Sequence, residues 1–248
     1  MNQKTLITQS RVGKAYWEIL ALQMAARELG WNVEVAPTSW RLNEDYLNQI
    51  EDGVCYGSQI FCEVICQQTG WKLHQNSFGW LANLPKKFIK RQVSYMTMKE
   101  ARLISHTAFI KPADDKRFDA KVYPAGEFYP SEEIADDCPV LISEPVNFTH
   151  EYRCFVDSSG VKSWSNYLYE GEVANPKLYH TIPSNAGNPI DFVNNLTKEV
   201  KFSPSVIDVG LIDGKGWAIV ESNPAWASGL YGCDPTEALL VIEQTVER

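Results

Sequence analysis

Ser205-Val206-Ile207-Asp208-Val209-Gly210 is followed, after a turn at Asp213-Gly214-Lys215-Gly216, by Trp217-Ala218-Ile219-Val220-Glu221-Ser222-Asn223. The glycines of the turn predict that the two apolar segments pair as antiparallel strands. In such a hairpin Asp208 lies opposite the end of the second strand, while Glu221 and Asn223, two residues apart, point to the same face. Two carboxylates and an amide oxygen then converge, and hard oxygen ligands of this kind suit Mg²⁺.

An acidic hairpin has a second interpretation, because a solvent-facing hairpin often carries such residues. In this sequence the neighbours of the two carboxylates are apolar, namely Val206, Ile207, Val209, Ile219 and Val220. Burying a carboxylate without a partner is unfavourable. The apolar neighbours therefore favour a metal site formed by Asp208, Glu221 and Asn223 over a solvated surface.

The N-terminal part of the chain alternates short apolar segments with helical patterns. Strands are predicted at residues 5–8, 31–35 and 53–57, and helices at 16–29, 42–50 and from Ser58 to about residue 69. This β-α-β-α-β-α order is typical of a small parallel sheet. Gly57 and Ser58 lie at the carboxyl end of a strand, where such sheets bind ligands, although taken alone the pair is better explained by a tight turn with a helix cap.

Strands dominate the sequence after residue 83. They are predicted at 108–112, 140–143 and 152–156, followed by a hairpin turn at 157–160 and a further strand at 161–164. Two helices are expected, at 97–104 and 189–200, and the first begins with a capping box formed by Thr97 and Glu100. The C-terminal part is thus expected to be α+β.

Composition limits the possible functions of the 248-residue chain. The formal net charge is −8 and the isoelectric point is about 5.1, which argues against a general nucleic-acid binder. The sequence contains no apolar run long enough to span a bilayer and no signal-peptide core at its start, so we expect a cytoplasmic protein without membrane contact. The six cysteines form no Cys-x-x-Cys motif and are expected to be reduced.

Two further motifs precede the hairpin. Phe109-Ile110-Lys111-Pro112 is a short strand that ends in a lysine, and Leu141-Ile142-Ser143-Glu144 is followed seven residues later by Glu151. Together with the hairpin and in this order, these motifs make the region from about residue 84 to the C-terminus resemble the ATP-grasp superfamily. The sequence of these motifs is most similar to the clade of that superfamily named for its arginine and lysine residues.

The resemblance implies a role for each of these residues. Lys111 would contact the nucleotide phosphates, the hinge residues Ser143, Glu144 and Val146 would lie beside the nucleoside, and Glu151 would hold the ribose hydroxyls. Asp208, Glu221 and Asn223 would bind one or two Mg²⁺ ions. Arg91, Lys111 and either Lys116 or Lys121 would be the residues that name the clade.

Arg153 and Lys116 are further candidates for phosphate contacts, and we group them with Arg91 as candidate catalytic residues. Arg153 lies on the same strand face as Glu151, and its planar fork of donors suits a phosphate or acyl phosphate, although a strand-surface ion pair is the alternative. The sequence departs from many relatives, because segment 111–118 lacks glycines and no arginine stands two residues before Asp208. Phosphate cover must then come from other residues.

The resemblance also implies the organisation and the activity. A small parallel-sheet domain at 1–82 would precede an ATP-grasp domain at 83–248, in which two α+β subdomains hold the nucleotide. The activity would be that of an ATP- and Mg²⁺-dependent carboxylate-amine ligase that forms an acyl phosphate. Small-molecule or peptide carboxylates and amines would be the substrates, and the segment 223–232, with Trp226 and Tyr231, would either line their pocket or belong to the core.

Two other activities remain open at the level of sequence. A kinase or phosphotransferase of the same superfamily would use the same nucleotide residues and release a phosphorylated product. A catalytically silent module would use the N-terminal sheet to bind a partner and keep the nucleotide fold as a scaffold. Dependence of ADP release on an added amine separates the first from a ligase, and Mg-ATP binding tests the second.

Overall fold

The computed structural model describes residues 3–10, 15–47, 50, 52–113 and 117–248. Within these residues the chain forms a parallel sheet near the N-terminus and two larger antiparallel sheets that follow it. None of the described helices has the length and apolar character needed to cross a membrane.

The N-terminal region alternates strands and helices as predicted. Its elements are β1 (Thr5–Gln9), α1 (Ala15–Glu28), β2 (Asn32–Ala36), α2 (Glu44–Leu47), β3 (Gly53–Tyr56), α3 (Gln59–Thr69) and β4 (Lys72–Leu73). The first three strands form a parallel sheet in the order β2-β1-β3. Because β1 is the central strand, all five of its residues are buried.

Helix α3 begins and ends where local chemistry predicts. The Ser58 hydroxyl accepts the Phe61 amide hydrogen at 3.3 Å, which satisfies one of the free amides at the helix start. Gly70 ends the helix in the left-handed conformation at φ 77°, a backbone geometry that glycine adopts without strain. Both ends therefore follow from the sequence.

The middle of the chain forms a four-stranded antiparallel sheet with short helices. Its elements are α4 (Lys86–Ile89), β5 (Val93–Thr97), α5 (Met98–Ala101), β6 (Ala108–Pro112), β7 (Lys121–Tyr123) and β8 (Pro139–Ser143), and the strand order is β5-β8-β6-β7. The capping box of Thr97 and Glu100 is confirmed. The helix is shorter than the predicted 97–104, because tighter i→i+3 bonds from Leu103 and Ile104 replace the α-helical pattern.

The C-terminal part is built on a five-stranded antiparallel sheet in the order β11-β10-β9-β12-β13. Its elements are β9 (Phe148–Asp157), β10 (Gly160–Tyr169), β11 (Glu172–Val173), α6 (Pro189–Glu199), β12 (Ser205–Ile212), β13 (Gly216–Asn223), α7 (Pro235–Glu243) and β14 (Val246–Glu247). Strand β9 is central, with β10 on one side and β12 on the other. This order decides which side chains meet in the site.

The end of the chain returns to its beginning. Leu239 and Ile242 of α7 belong to the same hydrophobic core as Leu6 and Val54 of the parallel sheet, and α7 packs against α1. Strand β14 pairs with β4. A division of the chain at residue 82 stays a prediction, since the N-terminal core is completed by residues from the other end.

Candidate active site

The hairpin of β12 and β13 pairs as the sequence predicts. Asp208 lies directly opposite Glu221, and a β-bulge follows at once, since Val209 pairs with Ile219 and leaves Val220 as the extra residue. The Asn223 amide nitrogen lies 3.2 Å from Asp208 Oδ2 and 2.8 Å from Glu221 Oε1. The three predicted metal ligands are therefore brought together around one point.

Arg153 forms an ion pair with Asp208, because β9 and β12 are neighbours and place the two residues opposite each other. Its Nε and Nη2 donate to the two carboxylate oxygens at 3.0 and 2.8 Å. Burial raises the pKa of the Asp208 carboxyl, and the guanidinium opposes that rise. Burial alone would lower the pKa of Arg153, but the Asp208 carboxylate raises it. Both groups lie in the interior, with Asp208 fully buried.

Lys111 reaches the hairpin from the other antiparallel sheet. Its Nζ lies 2.5 Å from Glu221 Oε2, and both side chains remain partly exposed, at 21% and 29%. Burial would raise the pKa of the Glu221 carboxyl, but the Lys111 ammonium lowers it to about 2. Glu221 is thus ionised at neutral pH, and its carboxylate faces a cleft between two sheets.

The donor set around Asn223 fits a magnesium ion. Two carboxylates and one amide supply only oxygen ligands, since rotation of the Asn223 amide exchanges its nitrogen for its oxygen. Among the described residues no cluster of three or more His, Cys, Asp or Glu side chains is suited to a metal. The residues that would hold a magnesium ion here are Asp208, Glu221 and Asn223.

A cleft of about 280 Å³ lies between the four-stranded and the five-stranded sheet. Ser143 ends β8 and Phe148 begins β9, so the segment 144–147 joins the two sheets at the edge of this cleft. All five residues predicted to bind the nucleotide line this cleft, namely Lys111, Ser143, Glu144, Val146 and Glu151. Its apolar walls include Leu81, Val93, Phe109, Leu141 and Val220. The structure thus brings the hinge and the strand-end lysine together.

The two hinge glutamates have different surroundings. Glu144 is exposed, and its carboxylate accepts from Lys215 Nζ at 3.1 Å, which lowers its pKa. Glu151 lies deeper, and burial raises the pKa of its carboxyl to about 7, although the Tyr167 hydroxyl donates to it at 2.7 Å and opposes the rise. Glu151 is therefore a hydrogen-bonded group of near-neutral pKa in the wall of the cleft.

Arg91 also lines this cleft, but its donors are directed to the backbone. Its Nη1 donates to the carbonyl oxygens of Ile89 and Ile219 at 3.1 and 2.7 Å, and its Nη2 donates to that of Val220 at 3.1 Å. Burial lowers the pKa of the guanidinium to about 10. These contacts hold Arg91 against the bulge of β13, so a catalytic role for Arg91 stays a prediction.

A second and larger cleft, of about 870 Å³, adjoins the first. The two share Leu81, Lys111, Leu141 and Glu221. The remaining walls come from the start of α3, segment 75–80, strand β9 and the end of β13 with the residues after it. They include Ser58, Glu63, Asn76, Arg153, Asn223 and Ser228. Ser58 thus acts as a helix cap and also borders a cavity, while a role of Ser58 in ligand binding stays a prediction.

The two remaining lysine candidates differ in position. Lys116 lies outside the described residues. Lys121 pairs with Asp119 at 3.5 Å and lies over the ring of Tyr123 at 5.2 Å, while the lining of the two clefts does not include it. The choice between Lys116 and Lys121 therefore stays a prediction.

Sequence reasoning missed two aromatic residues of the site. The Tyr167 hydroxyl donates a hydrogen bond to Glu151, and its ring centre lies 5.0 Å from the guanidinium carbon of Arg153. The ring centre of Phe148 lies 5.2 Å from the guanidinium carbon of Arg91. The sequence offered one signal, Gly210 inside a predicted strand, and the structure shows that the group approaching it is the Phe148 ring, 2.4 Å from where a Cβ on Gly210 would stand. A glycine within a strand often marks such a close approach. Of the two aromatics left open, Trp226 is a core residue, whereas Tyr231 is 39% exposed.

Comparison with known structures supports this architecture. A RimK-domain ATP-grasp protein from Sphaerobacter thermophilus shares 12% identity over 98% of this chain and 99% of its own, with a TM-score of 0.56. D-cycloserine synthetase shares 12% identity over 97% and 98%, with a TM-score of 0.62. N5-carboxyaminoimidazole ribonucleotide synthetase from Thermotoga maritima shares 11% over 98% and 76%, with a TM-score of 0.54. The predicted mixed α/β fold is confirmed.

The fold and the family comparison agree on the class. Residues 88–241 match a family model described as an ATP-grasp domain, and the chain belongs to the ATP-grasp superfamily. Within that superfamily the matching model is the second family of the clade named for arginine and lysine, which confirms the resemblance to that clade. No curated protein sequence matches the chain significantly.

Proposed function

We propose that this protein is an ATP- and Mg²⁺-dependent ligase that joins a carboxylate to an amine through an acyl phosphate. The observation that carries the proposal is the junction of the two clefts at Lys111 and Glu221. The smaller cleft suits a nucleotide, because its apolar walls can pack against a base while charged and polar side chains at its ends can bind the ribose and the phosphates. The larger cleft suits the substrate that receives the phosphoryl group at the junction.

The charges at the junction match the needs of phosphoryl transfer. Lys111 supplies a cationic donor where the two clefts meet, and Arg153 supplies a second in the wall of the larger cleft. Such donors stabilise charge on a transferring phosphoryl group. Asp208, Glu221 and Asn223 would hold the magnesium ion, which neutralises phosphate charge when it is bound. Glu151, by its position in the smaller cleft, would hold the ribose hydroxyls, with Ser143, Glu144 and Val146 along the nucleoside.

The same geometry favours a two-substrate reaction over simple nucleotide binding. The larger cleft extends from Arg153 to the start of α3, so it has room for a carboxylate substrate and the amine that displaces phosphate. Its polar lining, including Ser58, Glu63 and Asn76, suits amino acids or peptides as the substrate class. Two of the proteins with this fold are named synthetases.

The test is a nucleotide-turnover screen with carboxylate and amine mixtures, in which products are identified by mass spectrometry. We expect ADP release that depends on both substrates and an amide product. The variant Glu221→Gln should lower ADP formation at least about a thousandfold if magnesium and charge stabilisation are lost together. Its isosteric side chain keeps a hydrogen-bond acceptor for Asn223, so the fold should remain intact.

Asp208→Asn is a second variant with the same expected loss of activity, but it leaves the Arg153 charge without its carboxylate partner. Its stability must therefore be measured beside its turnover. ADP release with a phosphorylated product and no need for an amine would replace the ligase by a kinase. Failure of the wild type to bind Mg-ATP at millimolar concentration would support the silent binding module.

A further inference from the structure

The segment 224–233, called here the site loop, follows Asn223 and is held by the N-terminal region. Gly57 N donates to the Trp226 carbonyl at 3.2 Å, and the Tyr56 hydroxyl donates to the Ser228 carbonyl at 2.8 Å. Both contacts come from the carboxyl end of β3. The parallel sheet is therefore connected directly to the residues that follow the candidate metal ligands.

Glu18 in the first turn of α1 makes the most concentrated of these contacts. One of its oxygens, Oε1, accepts the amide hydrogens of both Leu230 and Tyr231, at 3.0 and 3.1 Å. A Cβ on Gly229 would stand 3.1 Å from the same oxygen, so the carboxylate is closely packed under the loop. Hydrogen bonds to a charged acceptor are stronger than those between neutral groups.

Tyr231 has a backbone conformation that needs such support. Its φ of 50° lies in the left-handed region, which costs a residue with a side chain about 1 kcal/mol or more. In this conformation its ring lies 5.1 Å from the guanidinium carbon of Arg153 and 5.2 Å from the ring of Tyr167. The Glu18 carboxylate thus holds the backbone segment from which the Tyr231 ring reaches Arg153.

Arg153 receives contacts from the site loop on two sides. Its Nη1 donates to the Gly229 carbonyl at 3.2 Å, while the Tyr231 ring lies beside the guanidinium. The Asp208 carboxylate fixes Nε and Nη2 from the neighbouring strand. The orientation of Arg153 therefore depends on both the sheet and the loop.

We infer that Glu18 is a positioning residue, which orders the site loop from the first helix so that Gly229 and Tyr231 fix Arg153 in the wall of the larger cleft. The link between Glu18 and Arg153 is a statement about structure. Its effect on turnover rests on the proposed function, because that function gives Arg153 its role in phosphate binding. The experiment separates these two levels.

The first measurement needs no nucleotide. In Glu18→Ala, hydrogen exchange at the amides of Leu230 and Tyr231, followed by NMR, should be at least about tenfold faster, because both lose their acceptor. Covalent labelling of Arg153 by phenylglyoxal, followed by peptide mass spectrometry, should also accelerate severalfold. Glu18→Gln keeps a side-chain carbonyl acceptor and should give intermediate values. Glu28→Ala, at the exposed end of the same helix, is the matched control and should change neither.

The second measurement is turnover. Glu18→Ala should lower ADP formation about tenfold to a hundredfold at saturating nucleotide, as expected for a displaced active-site group. The Kd for Mg-ADP should stay within about twofold, which a general loss of folding would not allow. Tyr231→Ala should lower turnover similarly while the two amides stay protected. The double variant should then lose little more, because both residues act on Arg153.

Two outcomes overturn the inference. Unchanged amide exchange and unchanged Arg153 labelling in Glu18→Ala would remove the link itself, whatever the turnover. Faster exchange and labelling with full turnover, in a wild type that turns over ATP, would reduce Glu18 to a purely structural contact. A wild type without turnover would refute the proposed function, and the exchange and labelling results would still decide the link to Arg153.

Discussion

Two ion pairs lie on the same hairpin and differ in how completely the protein encloses them. The sealed pair, Arg153 and Asp208, has side chains exposed by 10% and 0% and is held by two parallel hydrogen bonds. The open pair, Lys111 and Glu221, has side chains exposed by 21% and 29% and one contact between a single ammonium and one oxygen. The first therefore joins strands of one sheet, and the second crosses a cleft between two sheets.

The difference in burial indicates that the two cationic residues, Arg153 and Lys111, have separate tasks. A bidentate buried pair is costly to break, since each partner left alone is a charge without solvent. A partly exposed monodentate pair is weak, and its lysine can turn to another anion at little cost. Under the proposed function, Arg153 is a fixed element of the site, whereas Lys111 exchanges Glu221 for the nucleotide phosphates.

The largest expected effect follows from breaking the sealed pair. Arg153→Met should lower the free energy of unfolding by about 3–5 kcal/mol, because Asp208 is left buried without its cation. Urea denaturation followed by circular dichroism measures the change. Combining it with Asp208→Asn should recover part of the loss, since the double variant contains no uncompensated buried charge. A loss below about 1 kcal/mol in the single variant would show that the pair is not sealed.

Glu151, whose carboxyl group accepts a hydrogen bond from the Tyr167 hydroxyl, gives an effect between those of the sealed and the open pair. The pKa of Glu151 is about 7 in the folded protein and 4.5 as the ordinary value. Between these values the folded state holds a proton that the unfolded state has released, so the free energy of unfolding should fall as pH rises. The expected contribution is about 1–3 kcal/mol, lost between about pH 4.5 and pH 7.

Glu151→Gln has no charge to develop and should lack this part of the decline. Urea unfolding at several pH values from about 4.5 to 8, on wild type and variant, measures the difference between the two curves. Glu132→Gln, at an exposed position, is the control and should follow the wild type. Parallel curves for the wild type and Glu151→Gln would show that Glu151 titrates normally.

The smallest expected effect on stability follows from breaking the open pair. Lys111→Met should lower the free energy of unfolding by about 1 kcal/mol or less, because the pair is partly solvated. Its affinity for Mg-ADP, measured by calorimetry, should nevertheless fall about tenfold or more, the usual loss for a hydrogen bond to a charged group. A stability loss equal to that of Arg153→Met would remove the distinction between the two pairs.

Much of the fold could be predicted because its signals are local. The capping box at Thr97, the cap at Ser58 and the turn at 213–216 each depend on a few adjacent residues. Helix α7 was missed although its signals were present, since Asp234 caps it and Pro235 occupies its first turn. Strand β5 is as long as β1 but was missed because it lacks a regular alternation of apolar residues, and β7 was missed because it has only three residues.

The sequence predicted which residues belong to the site better than it predicted the contacts they make. The seven-residue spacing from Glu144 to Glu151 selected residues that line one cleft. Arg153 was expected to contact phosphate, yet its fork is directed to Asp208, because β9 lies beside β12 in the sheet. Arg91 was expected near the chemistry, yet its donors are directed to backbone carbonyls. Neither partner is encoded by local spacing.

The sequence by itself determined the hairpin that brings Asp208, Glu221 and Asn223 together, since a turn of fixed length sets the register of its two strands. Only the tertiary structure decided that Lys111, 110 residues before Glu221, meets it across a cleft. Strand order and sheet packing depend on burial over the whole chain, whereas turns and alternation depend on neighbours. The tertiary structure therefore decided which pair is sealed and which is open.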